Sequence, residues 1–314
     1  MVKVAVAGGT GGIGLHIVEA IVATGKHEVI VLSRRASHPT LDALGVRMIA
    51  VSYDDHAALT AALEGVHTVI CTIAGLDEAS MVTPQLALLN AAKAAGVTRF
   101  APSEFAARAI PDNPVEAYRL KWPVAQAVAR SGLEYTIFEA GIFMNYLASG
   151  TPGVGHLHPL RIMIDVEHAK ATSPGDGNVH IVYTRAEDVG AFVAASLDLP
   201  RWPEFSQMRG DRLTLNEIVR LAEEARGKKF EVTYLSEEQI LATLSSREKP
   251  SVVHPDARFA AFDFEKFIYE WYLEVVRSNP IGYEGRNLNK LCPQVTPMGV
   301  KEFLQTWWER SNNG

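Results

Sequence analysis

Apolar residues fall along the chain in short blocks that alternate between two patterns. The first pattern is a brief, continuous run of apolar and β-branched residues, which is typical of a strand buried on both faces of a parallel sheet. This pattern occurs at residues 2–7, 28–32, 46–51, 67–73, 98–102 and 134–138. The second pattern is a longer run with helical spacing, at residues 12–24, 55–63, 81–95 and 115–131. Repeated strand–helix units of this length predict an α/β fold with a doubly wound parallel sheet.

The residues between these blocks support the predicted helix ends. Asp54 and Asp55 precede the second helix, and Thr83-Pro84 stands near the start of the third; both sequences are favoured at helix N-termini. A glycine follows each predicted helix, where the left-handed conformation that ends a helix is easiest for this residue. These glycines are Gly25, Gly65, Gly96 and Gly132.

The alternation becomes looser after residue 150. Residues 150–177 are rich in glycine, proline and histidine, and residues 178–183 form a further strand-like run. An apolar helix is predicted over Ala186–Leu197, and an amphipathic helix with Thr214 as its N-cap over Leu213–Ala225. We therefore predict two parts: a nucleotide-binding domain, 1–150, to which 178–200 returns, and a smaller C-terminal substrate-binding lobe, 151–177 with 201–314.

Glycines occupy the junction between the first predicted strand and the first predicted helix. Gly8, Gly11 and Gly14 have the spacing G-x-x-G-x-x-G. Glycine allows positive φ and lets a phosphate approach the backbone closely. The N-terminus of the following helix offers free N–H groups and a partial positive charge. In this strand–turn–helix context the loop predicts a dinucleotide site, and with it a Rossmann fold.

The carboxyl ends of parallel strands meet at one edge of the sheet, where ligands of such folds bind. We expect three groups of residues there to contact the dinucleotide. They are Gly8, Thr10, Gly11, Gly12, Ile13 and Gly14 in the glycine loop; Thr72, Ile73 and Ala74 after the fourth strand; and Ser103, Glu104 and Phe105 after the fifth.

The end of the second strand selects between the two nicotinamide dinucleotides. An acidic residue there binds the ribose 2′-hydroxyl of NAD, whereas arginine accommodates the 2′-phosphate of NADP. The chain has Ser33, Arg34 and Arg35 at this point and no carboxylate. Guanidinium groups suit phosphate because they are planar, always charged and able to bind in bidentate fashion. Taken alone, the two arginines also fit a solvated strand end; together with the glycine loop they predict NADPH.

Composition excludes several other functional classes. The net charge of −6 gives no electrostatic footprint for nucleic acid or an anionic membrane. Two cysteines, Cys71 and Cys292, cannot form a disulfide framework or a cysteine metal cluster. The chain begins directly in a strand, and no run is apolar enough for a membrane span, so we expect a cytoplasmic protein. Oligomeric state stays open, with a homodimer as one option.

Four stretches together carry a resemblance that spans most of the chain: Gly8-Gly9-Thr10-Gly11-Gly12-Ile13-Gly14; Phe100-Ala101-Pro102-Ser103-Glu104-Phe105; Lys121 followed by Leu133-Glu134-Tyr135-Thr136; and Gly175-Asp176-Gly177-Asn178 leading to Glu187-Asp188-Val189-Gly190. With these stretches the chain resembles the isoflavone reductase-like and NmrA-like branch of the atypical short-chain dehydrogenases. The glycine loop is common to many nucleotide-binding folds. The Pro-Ser-Glu-Phe and Gly-Asp-Gly-Asn stretches are much more specific.

The resemblance implies that Lys121 contacts the cofactor and is the general acid or base beside the nicotinamide. The alternative is a solvated helix lysine. Tyr118 lies three residues earlier, on the same face of a helix, which differs from the Tyr-x-x-x-Lys spacing of ordinary short-chain dehydrogenases. Pro123 removes a helical N–H two residues beyond the lysine, so we expect a kink there.

The stretch Phe143, Met144, Asn145 and Tyr146 follows the strand at 134–138, at the ligand edge of the sheet. Substrate contact and packing between the two lobes are both open for these residues. The histidines at 156, 158, 168 and 180 have no spacing that indicates a metal site, and we predict none.

Three functions follow from this pattern. The first is an NADPH-dependent reductase that transfers hydride to an aromatic or conjugated small molecule, since related enzymes reduce isoflavones and lignan-type phenols. The second is a non-catalytic regulator that senses NADP(H), as some NmrA-like proteins are thought to do. The third, an epimerase that retains its cofactor, is disfavoured by the lack of the Tyr-x-x-x-Lys pair. Lys121 favours the reductase over the regulator because a sensor needs no proton donor.

Overall fold

A six-stranded parallel sheet forms the centre of the first lobe, in the order β3-β2-β1-β4-β5-β6. The computed structural model describes residues 1–75, 77–106, 108–246, 263–277 and 288–309. The strands are β1 (Lys3–Ala7), β2 (Glu28–Ser33), β3 (Arg47–Ala50), β4 (Thr68–Cys71), β5 (Arg99–Ala101) and β6 (Glu134–Tyr135). The first five predicted strands are confirmed, as is the doubly wound α/β architecture, and the sixth is present in this sheet only as Glu134–Tyr135. The strand order reverses between β1 and β4, which opens a crevice at their carboxyl ends.

Helices cover both faces of this sheet. They are α1 (Gly12–Thr24), α2 (Pro39–Ala43), α3 (His56–Ala62), α4 (Thr83–Ala94), α6 (Trp122–Ala129) and α7 (Ala186–Ser196), with a π-helical turn at Glu78–Val82. The short α5 (Glu116–Arg119) precedes α6, and its Tyr118 packs in the core of the second lobe. The Asp55 carboxylate accepts the Ala58 N–H at the start of α3, as predicted for an N-cap. Gly25 ends α1 with a φ of 63°. Helix α7 packs along α1, so residues from beyond position 180 complete the first lobe.

Two predictions are wrong in the same way: each predicts one continuous element where the structure has two. The helix predicted over 115–131 stops after Arg119 and restarts at Trp122, with Pro123 in the first turn of α6. A proline is tolerated there because its missing N–H would have no helical partner. It therefore starts a helix instead of kinking one. The strand predicted over 134–138 breaks at Thr136, whose hydroxyl donates to the Ser206 hydroxyl at 2.7 Å.

Beyond this break the chain leaves the main sheet and enters three small ones. Strand β7 (Ile137–Glu139) pairs with β12 (Phe205–Gln207). The other two sheets have the orders β13-β11-β8 and β14-β10-β9. Their strands are β8 (Ile142–Phe143), β9 (Ile164–Asp165), β10 (Lys170–Pro174), β11 (His180–Thr184), β13 (Asp211–Thr214) and β14 (Glu231–Leu235).

The helices of the second lobe pack on these small sheets. They are α8 (Leu215–Arg226), α9 (Glu237–Ser246), α10 (Phe264–Arg277) and α12 (Val300–Leu304), with 3₁₀ turns at Met144–Ala148 and Pro152–Val154 and a π-helical turn at Gln305–Glu309. The short α11 (Leu288–Leu291) instead contacts α7, and its Leu288 lies in the core cluster of the first lobe. Thr214 caps α8 as predicted, in a reciprocal capping box with Glu217. Leu213, predicted as helical, lies in β13 because the cap follows it.

Two tryptophans of the second half belong to the core. Trp271 and Trp308 are buried in the second lobe, and the Trp308 Nε1 donates to the Leu147 carbonyl at 2.9 Å. Cys71 is fully buried in β4, and this burial raises the pKa of its thiol to about 12, so the thiol is an unreactive part of the core. Among the described helices, none is both long and apolar enough to cross a membrane.

A loop of the second lobe crosses back onto α1; we call residues 150–157 the strap. The His156 backbone N–H donates to His16 Nε2 at 3.2 Å, and His156 Nε2 lies 2.9 Å from a Glu19 carboxylate oxygen. Gly153, also in the strap, packs against Trp307 so closely that a Cβ on Gly153 would lie 2.5 Å from the Trp307 ring. The strap therefore links α1 to the C-terminal helical segment.

Candidate functional site

The glycine loop is built around close packing on one side and open space on the other. A Cβ at Gly14 would lie 2.4 Å from the Thr72 hydroxyl and 2.6 Å from the Gly8 carbonyl oxygen, so only glycine fits. Gly8 has a φ of +84° and Gly12 a φ of +51°, both in the left-handed region. A Cβ at Gly11 would meet no atom within 4 Å. The loop thus packs tightly against β4 and is open where a ligand would approach.

The N-terminus of α1 faces this open side without a side-chain cap. The first N–H groups of a helix have no helical acceptor, and together they carry a partial positive charge. Gly11 is exposed, and Thr10, Gly12 and Ile13 are half-buried around it. These residues fit the pyrophosphate of a dinucleotide.

Thr72 fixes the segment after β4 against β1. Its backbone N–H and its hydroxyl both donate to the Ala7 carbonyl, at 2.8 and 2.9 Å. Beyond it, Ile73 is half-buried and Ala74 is exposed. The three residues predicted here therefore border the crevice between β1 and β4.

Arg34 and Arg35 are exposed directly after β2. The Ser33 hydroxyl accepts the Arg35 backbone N–H at 3.1 Å and shapes the turn. Within the part of the chain that the structure describes, neither guanidinium forms an ion pair, so both are available to an external anion. This arrangement fits the 2′-phosphate of NADP.

The loop after β5 is held by a residue that the sequence analysis did not identify. Gln85 of α4 is buried; its amide oxygen accepts the Ser103 N–H at 2.9 Å, and its Nε2 donates to the Met81 carbonyl. Phe105 has a φ of +50°, and its N–H donates to the Phe138 carbonyl at 2.9 Å. An isolated amide among apolar helix residues is the only sequence signal that Gln85 offers.

Lys121 lies between α5 and α6, with its ammonium turned toward this loop. Its Nζ donates to the Glu104 backbone carbonyl at 3.0 Å and lies 3.9 Å from the Glu104 carboxyl Oε2. The Lys121 side chain is only 14% exposed, so the predicted alternative of a solvated lysine is wrong. Its Nζ also lies 5.7 Å from the centre of the Tyr118 ring.

Tyr118 itself belongs to the core of the second lobe. It is buried, and its ring makes an edge-on contact with Phe267. Burial, followed by the Glu274 carboxylate, raises its pKa above the ordinary value. Tyr118 therefore supports Lys121 from the core side.

Glu104 is the most unusual charged group of the site. It is 4% exposed, and its Oε2 accepts no hydrogen bond from the residues that the structure describes. Burial raises the pKa of this carboxyl to about 7; Lys121 lowers it and Glu139 raises it further. Glu139 is bound by Arg108 Nε and Gln207 Nε2, each at 2.7 Å.

A cavity of about 470 Å³ opens beside Glu104. Its wall is largely apolar and includes three aromatic rings; the residues that matter here are Glu104, Arg108, Trp122, Tyr135, Ile137 and Phe205. Arg108 lies over the Phe205 ring, 3.6 Å from its centre. This cavity could not be predicted from the sequence because its wall combines α6, β7 and β12, which are far apart in the chain.

The predicted substrate stretch divides into buried and half-buried residues. Met144 and Asn145 have no exposed surface, and the Asn145 amide binds Gly153, Glu187 and the Ala186 N–H. Phe143 and Tyr146 are half-buried and meet edge to face with ring centres 6.0 Å apart. Only the latter two have surface with which to contact a ligand.

Two of the four histidines at 156, 158, 168 and 180 lie beside carboxylates. His156 forms a cluster with His16 and Glu19, and His168 forms one with Asp165 and Glu167. In the first cluster, His156 is 137 positions from Glu19 and 140 positions from His16, so sequence spacing could not reveal it.

Comparison with known proteins identifies a family, similar sequences and similar solved structures. The model of the NmrA-like family matches residues 2–303. The chain is 32% identical to oxidoreductase BOA1 of Botryotinia fuckeliana (strain B05.10), over 97% of this chain and 99% of the relative. It is 29% identical to the phenylcoumaran benzylic ether reductase IRL1 of Ginkgo biloba, over 96% and 97% respectively. A solved structure of AtPrR2 with NADP⁺ and (+)pinoresinol matches with a TM-score of 0.77 and 26% identity, covering 98% of each chain.

Proposed function

Because the chain belongs to the NmrA-like family and is an NADP(H)-dependent oxidoreductase, we propose that it reduces an aromatic or conjugated small molecule. Lys121 is the general acid–base of this reaction. The observation that carries the proposal is the position of its ammonium: it is mostly buried, held by the Glu104 carbonyl at 3.0 Å, and lies after β5 at the ligand edge of the sheet.

The residues of the chain have separate tasks in this reaction. NADPH supplies the hydride when it is bound. The N-terminus of α1 and the backbone at Gly11 and Gly12 hold the pyrophosphate, and Arg34 with Arg35 holds the 2′-phosphate. Thr72, Ile73, Ala74 and the Ser103–Phe105 loop border the rest of the cofactor and keep water from it. Lys121 exchanges a proton with the substrate oxygen.

The names of the relatives support the substrate class. One relative is a phenylcoumaran benzylic ether reductase, and one solved neighbour contains pinoresinol. Both compounds are aromatic. Phe143 and Tyr146 have partly exposed rings at the same edge of the sheet and are the residues that we assign to substrate contact; Met144 and Asn145 position them from the core.

A panel of aromatic substrates tests this proposal, with NADPH oxidation as the signal. The panel comprises pinoresinol, a phenylcoumaran, an isoflavone and simple aromatic ketones and enones. Lys121→Ala should leave NADPH affinity nearly unchanged and lower kcat by ~10²–10⁴-fold, the range for a general acid–base group. Lys93→Ala, which removes an exposed lysine of α4, is the matched control and should behave like wild type.

The outcomes separate the reductase from a regulator. An unchanged kcat in Lys121→Ala would overturn the assigned mechanism. Tight NADPH binding without oxidation across the whole panel would favour the NADP(H)-sensing regulator instead.

A further inference from the structure

We propose that Glu104 is the proton-sharing partner of Lys121: its carboxyl positions the ammonium and returns the proton that Lys121 gives to the substrate. This inference rests on the proposed function only in its last step. The pairing of the two side chains belongs to the protein without any ligand.

The geometry gives Lys121 two contacts with one residue. Its Nζ donates to the Glu104 backbone carbonyl at 3.0 Å and lies 3.9 Å from the carboxyl Oε2. That oxygen is buried and accepts no hydrogen bond from the described part of the chain. A buried carboxyl oxygen without a hydrogen bond is costly. The only cationic group within 4 Å of it among these residues is the Lys121 ammonium.

Other charged groups near Glu104 are occupied elsewhere. Glu139, from β7, is bound by Arg108 and Gln207, so it acts on Glu104 only as a nearby negative charge. Arg108 is directed to Glu139 and to the Phe205 ring. Tyr118, from α5, stays uncharged because burial raises its pKa. Lys121 is therefore the group with which Glu104 can exchange a proton.

The protonation state of Glu104 suits this exchange. Burial raises the pKa of its carboxyl to about 7, against the opposing effect of Lys121. The carboxyl is thus close to half-protonated at neutral pH. A group with this pKa both gives and regains a proton readily.

The proposed step conserves charge and atoms. Lys121 breaks one N–H bond as its proton passes to the substrate oxygen, which leaves a neutral amine. The Glu104 O–H bond then breaks and an N–H bond forms, which restores the ammonium and leaves a carboxylate. Glu104 lines the cavity of about 470 Å³, and through it the carboxylate regains one proton from solvent in each turnover. No electrons are transferred in this step.

The pairing is tested in the ligand-free protein by ¹³C NMR of labelled glutamate carboxyls. Glu274 is a matched control, because burial also raises its pKa to about 7 but its partner is Asn113. Glu104→Gln should remove one of the two carboxyl titrations near pH 7, and Glu274→Gln the other. Lys121→Met should raise the pKa of Glu104 and leave that of Glu274 in place, because only Glu104 loses a neighbouring positive charge. An unmoved Glu104 titration in Lys121→Met overturns the proposal.

The proton return is tested by the pH dependence of kcat on the fastest substrate of the panel. In wild type, kcat should fall as pH rises through about 7, because Glu104 loses the proton that it returns. Glu104→Gln should lower kcat by ~10-fold or more and remove the decrease of kcat near pH 7. Glu274→Gln should retain both the wild-type kcat and its decrease near pH 7. Glu104→Asp retains a carboxyl, so its kcat should again decrease as the pH rises. NADPH affinity should be the same in wild type and Glu274→Gln.

These measurements distinguish the two proposals. If Lys121→Ala abolishes turnover and Glu104→Gln keeps the wild-type pH profile, Glu104 has no part in proton return and the proposed function stands. If Lys121→Ala turns over like wild type, the proposed function fails, and the NMR titration still decides whether the two side chains share a proton. If Glu104→Gln does not fold, Glu104→Asp and Lys121→Met decide the same questions.

Discussion

Arg34 and Arg35 are individual residues whose role follows from their own chemistry. They stand at the end of β2, exposed and without an ion-pair partner among the described residues. A guanidinium in water is stable without a partner, so nothing in the fold requires the pair there. Their position beside the nucleotide crevice supports contact with the 2′-phosphate that distinguishes NADP from NAD.

The double substitution Arg34→Ala with Arg35→Ala should weaken NADPH binding by ~10-fold or more while changing NADH binding little, because only NADPH carries the 2′-phosphate. Fluorescence titration of both dinucleotides measures this. Arg47→Ala removes an exposed arginine of the neighbouring strand β3 and should affect neither. Equal losses for the two dinucleotides would show that the arginines do not contact the 2′-phosphate.

Other single residues could not be identified from sequence because their role depends on distant partners. Glu104 lies 17 residues from Lys121, and Gln85 lies 18 residues from Ser103. The two members of each pair belong to different elements of the fold, so only the folded chain brings each pair together. Lys121 was identified through resemblance to a family, and its buried setting became visible only in the structure.

The unit β1–loop–α1 is the element whose bounds the sequence predicted best. The strand and helix patterns are strong there, and three glycines fix the turn between them. The same loop combines two requirements: Gly14 must be small to pack on Thr72, and Gly11 faces open space. Substitutions at the two positions should therefore have different effects.

Gly14→Ala should destabilise the fold by about 3 kcal/mol, since its Cβ would collide with the Thr72 hydroxyl and the Gly8 carbonyl. Gly11→Ala should leave the melting temperature unchanged, because the backbone there is extended and no atom lies within 4 Å. It should nevertheless weaken NADPH binding by ~10-fold or more, because the added methyl occupies the space of the phosphates. Calorimetry and NADPH titration measure the two effects; a stable Gly14→Ala protein would contradict the packing argument.

Two elements were predicted with wrong bounds. In both, the chain begins to pack against a different part of the fold while its pattern of apolar residues continues unchanged. Residues 115–131 keep helical spacing across the break at Lys121, and residues 134–138 stay apolar while the strand passes from one sheet to another at Thr136. Hydrophobic periodicity indicates which face of an element is buried, but it does not indicate which other element covers that face. Both breaks lie beside the candidate site, where α5, α6 and β7 have to accommodate Lys121 and Glu104.

At the scale of the whole molecule, the strap connects the second lobe to α1, the helix that follows the glycine loop. His16 of α1 is 5% exposed, and its Nε2 accepts the His156 backbone N–H at 3.2 Å. A ring nitrogen that accepts this bond carries no proton. Protonation of His16 would therefore oppose the docking of the strap. Burial is the main cause that lowers the pKa of His16; together with the smaller effects of His156 and Arg185 it outweighs the increase from Glu187 and Glu19.

This arrangement predicts a loss of stability in mild acid. The pKa of His16 is lower in the folded than in the unfolded chain, so between these values the unfolded chain binds more protons. The free energy of unfolding should therefore fall as pH decreases below about 6.5. Urea unfolding at pH 7.5 and 5.5 should show a larger difference for wild type than for His16→Gln. His168→Gln, in the exposed cluster with Asp165, should retain the wild-type difference; the same difference in all three would exclude His16 as the cause.

The return of α7 to the first lobe determines how this chain could be divided or recombined. Ile17 and Ile21 of α1 are fully buried in the same core cluster as Phe192 and Val193 of α7. A fragment that ends at residue 150 would expose that face of α1 to water, although it contains the whole parallel sheet. Transfer of the dinucleotide-binding module to another protein therefore requires residues 178–200 as well, and exon or fusion boundaries inside the intervening segment would separate two halves of one core.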